Sequence, residues 1–217
     1  WTPDMPLLDP FCGSGTIAIE AASIACGLVP GISRSFGFEK LLNFDRELWT
    51  ELREDAKSEV NLHREVSITA SDISSIVVRK AEANALRAGL GGLLESGNLK
   101  FSVCDARNVL PPTETPGIIV ANPPYGEQST PRSATVGSMM RHVADNLKHN
   151  FAGWTAWMLT SDRHLPGEMH LKEGRKTVLF NGPLECRFFK FDLVAGSNRR
   201  VKNRDAASDS TPSDAES

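Results

Sequence analysis

No apolar run in this 217-residue chain approaches the ~20 residues that a membrane-spanning helix requires. Its first residues also lack the charged, apolar and small-residue succession of a signal peptide. A cytosolic, cytoplasmic protein without a membrane partner is therefore expected. Cysteine is sparse: Cys12, Cys26, Cys104 and Cys186 stand far apart with no Cys-x-x-Cys pair, so neither a zinc knuckle nor a disulfide framework is indicated and all four read as free thiols. The five histidines show no ligand spacing, and no Ser/His/Asp arrangement can be assembled around them, which leaves metal chemistry and triad hydrolysis without a foothold. His142 and His149, seven apart, fall on one helix face as surface residues. A net charge of −3 supplies no basic field, so a nucleic-acid partner must be recognised locally or by a part not present here. An initial methionine is also missing, and with a strand starting a few residues after Trp1 the chain reads as an excised domain.

What is present is ordinary for a globular protein, 40% hydrophobic and 24% charged, and fits one domain over 1–197. Residues 198–217 lose every apolar period and fill with Ser, Asp, Arg and Asn, so a disordered polar tail is expected there. Arg199, Arg200, Lys202 and Arg204 within it read as a solvated charge run. Short apolar runs alternating with helical patterns predict an α/β domain with a mostly parallel sheet. Strands read at 6–11, 66–73, 99–106, 117–124, 154–162, 176–182 and 184–193, and helices at Thr16–Cys26, near Leu48–Val60, at Ile76–Ala88, at Val136–Asn150 and briefly after Arg163. The last two strands are separated by Asn181-Gly182-Pro183, a turn signal that predicts an antiparallel hairpin at the end of the sheet. Helices are expected on both faces.

Between the first helix and the second strand the connection, about forty residues, far exceeds the usual 2–6, which predicts an insertion over about 27–60. It mixes Arg34, Lys40 and Arg46 with Phe36, Phe38, Phe44 and Trp49. That pairing of charge with stacking surface suits nucleic acid, and it equally suits aromatics that anchor a long loop.

The candidate site begins at the first strand. In Gly13-Ser14-Gly15-Thr16-Ile17-Ala18 the chain matches G-x-G-x-x-[GA] after a strand and before a helix. Two glycines allow close backbone approach, and the helix start favours a negative group, carboxylate or phosphate. Asp9 ends the same strand, while Asp72 and Asp105 end the second and third, so all three carboxylates are expected in one crevice. Asp72 could accept from ribose hydroxyls and Asp105 from an adenine amine. An NAD fingerprint would need its acid about 20 residues beyond the glycines, where Glu39 lies in a run that reads poorly as a strand.

After the fourth strand stands Asn122-Pro123-Pro124-Tyr125. Each proline fixes its own φ and restricts the residue before it, so this is a stiff, pre-shaped corner. The Asn122 side-chain oxygen and the Pro123 carbonyl can accept both hydrogens of a planar –NH₂ group, and Tyr125 offers a face to a flat base. An exocyclic amine is a poor nucleophile because its lone pair is delocalised, and two fixed acceptors favour the form that attacks a methyl sulfonium in line.

"DPFCGSGTIAIEAA", the strand-end Asp72 and "NPPYGE" together resemble a class I S-adenosylmethionine-dependent methyltransferase with a Rossmann-like fold, of the subgroup that modifies exocyclic amines. More narrowly, "PGISRSFGFEKLLNFDRELW" and "NGPLECRFFKFDL" are similar to the catalytic domain of the RlmL-like family, bacterial guanine-N2 methyltransferases of large-subunit ribosomal RNA. The likeness covers Pro6 to about Val194. It implies that S-adenosyl-L-methionine is the cofactor, with Asp9, Gly13 and Gly15 bordering its methionine part, Asp72 its ribose and Asp105 its adenine. Phe11, Cys12, Thr16, Ile73, Ala106 and Asn122 complete the implied cofactor-binding set, no metal is implied, and Asn122, Pro123, Pro124 and Tyr125 are the implied catalytic corner. It further implies an RNA partner, and an N-terminal RNA-binding THUMP domain with a leading helix, neither of which is in this chain. Other planar amines (tRNA guanine N2, adenine N6, a protein glutamine amide), an NAD(P)-dependent oxidoreductase and a non-catalytic RNA-binding module remain as alternatives at this point.

Overall fold

Alternation along strand β1 (Leu7–Asp9) sets the layering of the molecule: Leu7 enters one apolar cluster and Leu8 the other, on opposite faces of the sheet. The computed structural model describes residues 1–32, 34–124 and 131–195, so the tail expected over 198–217 lies outside the described residues. β1 pairs in parallel with β2 (Ile68–Asp72) on one side and β4 (Ile118–Ala121) on the other. Outward from these, β3 (Leu99–Val103) and β5 (Thr155–Thr160) are also parallel, and β7 (Leu184–Asp192) runs antiparallel between β5 and the edge strand β6 (Arg175–Asn181). The order is β3-β2-β1-β4-β5-β7-β6, with the chain leaving β1 in both directions. Such a reversal opens a crevice at the carboxyl ends of the central strands. The seven strands and the closing hairpin are those that the apolar runs predict.

Helix α1 (Thr16–Cys26) buries Ala18, Ala21, Ala22 and Ala25, side chains small enough to bring its backbone close to the sheet, and ends at Gly27 with a left-handed φ of 70°. Helix α3 (Ser75–Arg87) covers the same face through Val78, Ala81 and Ala85. On the other face α5 (Pro131–Asn150) buries Met140, Val143, Ala144 and Leu147, the three-four spacing of a single helical stripe, beside the short α6 (Leu165–Met169). α5 starts at Pro131, earlier than the expected Val136, and α2 (Arg46–Ser58) begins two residues before the expected Leu48 because Asp45 accepts from the Leu48 N–H at 3.0 Å. Helix α4 (Gly91–Ser96) is not among the elements expected from the sequence; Leu90 and Leu93, both fully buried, pin it to the core. Among the described residues no helix is long and apolar enough to cross a membrane.

The long segment between α1 and β2 is closed at its base, where the Asn61 N–H donates to the Cys26 carbonyl at 2.8 Å. That base lies at the end of α1 away from the glycine turn, about 16 Å along an 11-residue helix. Its aromatics pack on one another. Phe36 stacks on Phe38 at 5.4 Å, Trp49 meets Phe38 edge-on at 5.0 Å, and Arg34 and Arg53 lie over Phe36 and Trp49. Of the two readings left open for this segment, the geometry is that of a self-anchored loop.

Gly117 marks where β1 and β4 meet most tightly. A Cβ there would stand 2.2 Å from the Pro6 carbonyl oxygen, the same oxygen that accepts from Ile118 N–H, so only backbone movement could make room. Gly117→Ala is expected to cost about 1–3 kcal/mol or more in urea unfolding, the range for overpacking. Gly167→Ala, where a Cβ meets nothing, is expected to stay within about 1 kcal/mol of the parent.

Candidate active site

Past Asp9 the chain turns through Gly13 and Gly15, both at positive φ (51° and 90°), before α1 begins. The two glycines serve different ends. A Cβ on Gly15 would press on Ala81, Ile19 and Phe101 at 3.0–3.2 Å, so close packing against α3 and β3 requires it. At Gly13 a Cβ would meet nothing within 4 Å, which leaves an open backbone face at the mouth of the crevice. The turn is tied to its surroundings by Cys12 N–H to the Ser71 carbonyl (2.9 Å), Gly15 N–H to the Cys12 carbonyl (2.8 Å) and the Asn84 amide to the Ser14 carbonyl (2.8 Å).

Asp72, at the end of β2, is held from both sides. One carboxylate oxygen accepts from Gly13 N–H at 3.2 Å and the other from Ser74 N–H at 2.9 Å. It is half-buried, while Ile73 beside it is 67% exposed, an apolar side chain at the rim of the same crevice. Asp9 is fully buried; its Oδ1 accepts from Phe11 N–H at 3.1 Å and its Oδ2 has no hydrogen-bond partner among the described residues. Burial, reinforced by the nearby Asp72 charge and only partly offset by the Phe11 N–H, raises the Asp9 carboxyl to about 7. The same burial, with the charges of Asp9 and Asp72, pushes the Cys12 thiol up to about 12. Thr16 is exposed at the start of α1, and Phe11 packs half-buried against the cluster under β4 and α5.

Asp105 reaches the same pole, two residues beyond β3, with its carboxylate already engaged. Arg107 donates to it from its backbone N–H (2.9 Å) and from Nε to both oxygens (3.0 Å), and its terminal nitrogen completes a fork. This guanidinium holds the Asp105 carboxyl below the usual carboxylate range. Ala106 is buried below it, and the Asn146 amide of α5 fixes the loop by donating to the Val109 carbonyl at 2.8 Å. Asn122 follows β4 directly and is exposed, with Pro123 buried and Pro124 exposed; Tyr125 lies outside the described residues.

The structure thus brings Asp9, Gly13, Gly15, Asp72, Asp105 and Asn122 to the carboxyl ends of four neighbouring strands, β3, β2, β1 and β4. Sequence reasoning missed Arg107, Asn84 and Asn146. Only Arg107 left a trace in the sequence, as a cation two residues after the acid; Asn84 meets Ser14 across 70 residues and Asn146 meets Ala106 across 40. Glu39 lies in a 3-10 turn (Gly37–Lys40) of the insertion and accepts from Phe36 N–H at 2.8 Å, so it is no strand-end acid and the NAD fingerprint lacks its ribose ligand. No group of three or more metal-ligating side chains occurs among the described residues.

Comparison with known proteins agrees with this arrangement. Residues 1–190 match the family model described as RMKL-like, methyltransferase domain. The chain is 41% identical over 201 residues to the ribosomal RNA large subunit methyltransferase K/L of Shewanella baltica, covering 89% of this chain and 27% of the relative. Among solved structures, a possible methylase from Clostridium difficile 630 superposes with a TM-score of 0.81 at 30% identity, covering 91% of this chain and 50% of that one. A putative methyltransferase complexed with SAH superposes with a TM-score of 0.78 at 26% identity over the same shares. A Rossmann-like sheet in the order β3-β2-β1-β4-β5-β7-β6, a glycine turn locked to a strand-end acid and a family match over 1–190 lead to one assignment: the chain belongs to the RMKL-like methyltransferase-domain family.

Proposed function

We propose that this chain transfers a methyl group from S-adenosyl-L-methionine to the exocyclic N2 amine of a guanosine in large-subunit ribosomal RNA. The observation that carries the reading is the placement of two kinds of group on either side of β1. The carboxylate of Asp72, oriented by two backbone amides, ends β2, and the Asn-Pro-Pro corner follows β4. These strands are two spacings apart, about 10 Å, so a cofactor acid and an amine acceptor face one crevice.

The residues present fit the cofactor. Asp72 keeps lone pairs for ribose hydroxyls while its two amide donors fix its orientation. Gly13 leaves its face open to the methionine part, and the buried Oδ2 of Asp9, without a hydrogen-bond partner among the described residues, becomes an acceptor for an ammonium group once the carboxyl ionises. Ile73 offers apolar cover to a flat ring, and Asp105, held still by Arg107, can accept one further hydrogen from an adenine amine. When bound, S-adenosylmethionine supplies a methyl group on a positively charged sulfur. On the substrate side the Asn122 side-chain oxygen and the Pro123 carbonyl take the two amine hydrogens, which turns the nitrogen lone pair toward the crevice, and Tyr125 stacks on the base. Neither a metal nor a covalent enzyme intermediate is needed. RNA as the substrate is supported by the named relative. Since the chain spans 27% of that relative, an N-terminal THUMP domain is included in the proposal as the part that binds RNA.

Cofactor choice is tested by calorimetry with SAH and NAD. SAH is expected to bind and NAD not, with Asp72→Ala weakening SAH by about 1.5–3 kcal/mol, the scale of a charged hydrogen bond. Tighter binding of NAD would refute the assignment.

Asp9 links the site to stability. Its carboxyl titrates near 3.8 in the unfolded chain and near 7 in the folded one. Between those values the unfolded chain has released the proton that the folded chain keeps. Stability is therefore expected to fall as pH rises from about 4 to about 7 and then to level off, by something on the order of 3–4 kcal/mol. Asn at position 9 keeps an oxygen for Phe11 N–H but cannot ionise, so Asp9→Asn is expected to flatten that slope in urea unfolding series, and a slope retained by the variant would assign it to other groups.

Asn122→Ala is expected to lower single-turnover methyl transfer to unmodified ribosomal RNA by about 10²–10³, with a far smaller effect on SAH affinity, as for loss of one preorganised transition-state contact. Transfer at the parent rate would make the corner structural.

A further inference from the structure

The β6–β7 hairpin runs past the end of the sheet at the pole where Asn122 lies. Asn122 follows Ala121, which pairs with Met158, so its level along the sheet is that of Leu159, Phe188 and Thr177. β5 stops at Thr160, but β6 and β7 stay paired as far as Asn181 and Leu184, where Gly182 at φ 59° turns the chain. Phe180 therefore stands three residues, about 10 Å, beyond the level of Asn122 and three strand spacings, about 14 Å, to its side.

This projecting part carries surface that the core does not use. Phe180 is 69% exposed and Val178 51%. The two share a face, because Phe180 opposes Glu185 and Val178 opposes Arg187 in the ladder. Edge strands are ordinarily blunted by charge, as β6 is at its start with Arg175 and Lys176, yet it ends in exposed apolar side chains at the catalytic pole. Beside Phe180, Glu185 receives both Arg187 (2.6 Å) and Arg163 (2.9 Å). Of the two guanidinium groups that share this one carboxylate, Arg163 is the one at the surface, its side chain 65% exposed. A flat ring beside an exposed arginine is the combination on which single-stranded nucleic acid docks, base on ring and phosphate on cation.

We propose that Phe180 is a stacking platform for an unpaired base of the substrate RNA flanking the methylated guanosine, with Arg163 holding the adjoining phosphate. This rests on the methyl-transfer reading above and adds a second point of contact, away from the reacting amine. The hairpin fixes which stretch of strand beside the target must be unpaired, and so contributes to the choice of nucleotide.

The test is steady-state methyl transfer to ribosomal RNA lacking the modification, using the protein as the cell makes it. Phe180→Ala is expected to raise KM for RNA about 5- to 150-fold, the range for one lost base–aromatic stack, with kcat and SAH affinity unchanged. Phe180→Trp should restore the parent KM and Phe180→Leu should not. Arg163→Ala should raise KM and reduce the salt slope of RNA binding by about one unit. Parent-like KM in Phe180→Ala, or rescue by Leu as good as by Trp, would overturn the stacking role. A protein that sediments as a dimer, and as a monomer once Phe180 is replaced, would also overturn it by identifying the occupant as a second β6 edge. A parent that transfers no methyl to RNA removes the functional reading and this proposal together; an active parent with an indifferent Phe180 removes only the latter.

Discussion

The hydrogen bond from Gly13 N–H to the Asp72 carboxylate joins the ends of two strands that lie 59 residues apart in the chain. It couples the position of the glycine turn to the position of the acid, so neither can shift alone. Everything else at the pole is referred to this link. Ser74 fixes the second oxygen of Asp72, Cys104 N–H donates to the Asp72 carbonyl at 3.0 Å and so seats the start of the Asp105 loop, and Asn84 holds the turn from above. The parallel ladder supplies the coarse alignment of the strands, and these few bonds at their ends supply the fine one. Because both donors to the Asp72 carboxylate are backbone amides, no side-chain entropy is spent on their side.

The sheet and its turn were legible from local pattern. Strands built of Leu, Ile, Val and Phe with polar ends declare both their extent and their carboxyl pole, and two glycines after such a strand declare a backbone approach. What was not legible is what long-range packing decides. Helix α4 went unannounced because its two glycines are poor helix formers, and the two buried leucines that outweigh them act through tertiary packing. The capture of Asp105 by Arg107 depends on a loop conformation that α5 imposes through Asn146, and nothing in the sequence near Asp105 announces α5. The aromatics of the long α1–β2 segment showed the opposite limit: the sequence offered nucleic-acid contact and loop anchoring as readings, and did not reveal that the rings and arginines pack on one another.

The charges in the site are unequally committed. Asp72 and Asp105 are anchored by donors, whereas Asp9 is buried with one oxygen unpartnered among the described residues and resists ionisation. Its neighbour Cys12, with a thiol near 12, is held in its protonated form at neutral pH and has the character of a small apolar side chain instead of a nucleophile. The methyl transfer proposed above, direct between two bound molecules, has no use for an enzyme nucleophile. Suppressing the thiol also keeps it from competing for the electrophile.

The base of the insertion has a consequence for how this family can vary. Residues 28–60 leave and rejoin the fold between Cys26 and Asn61, whose backbones share a hydrogen bond, at the pole opposite the glycine turn. Loop-closure entropy grows only slowly with length, so lengthening or trimming such an excursion scarcely alters the stability of what it hangs from. The excursion hangs from the fold like a pendant: its length is decoupled from the geometry at the far end of α1.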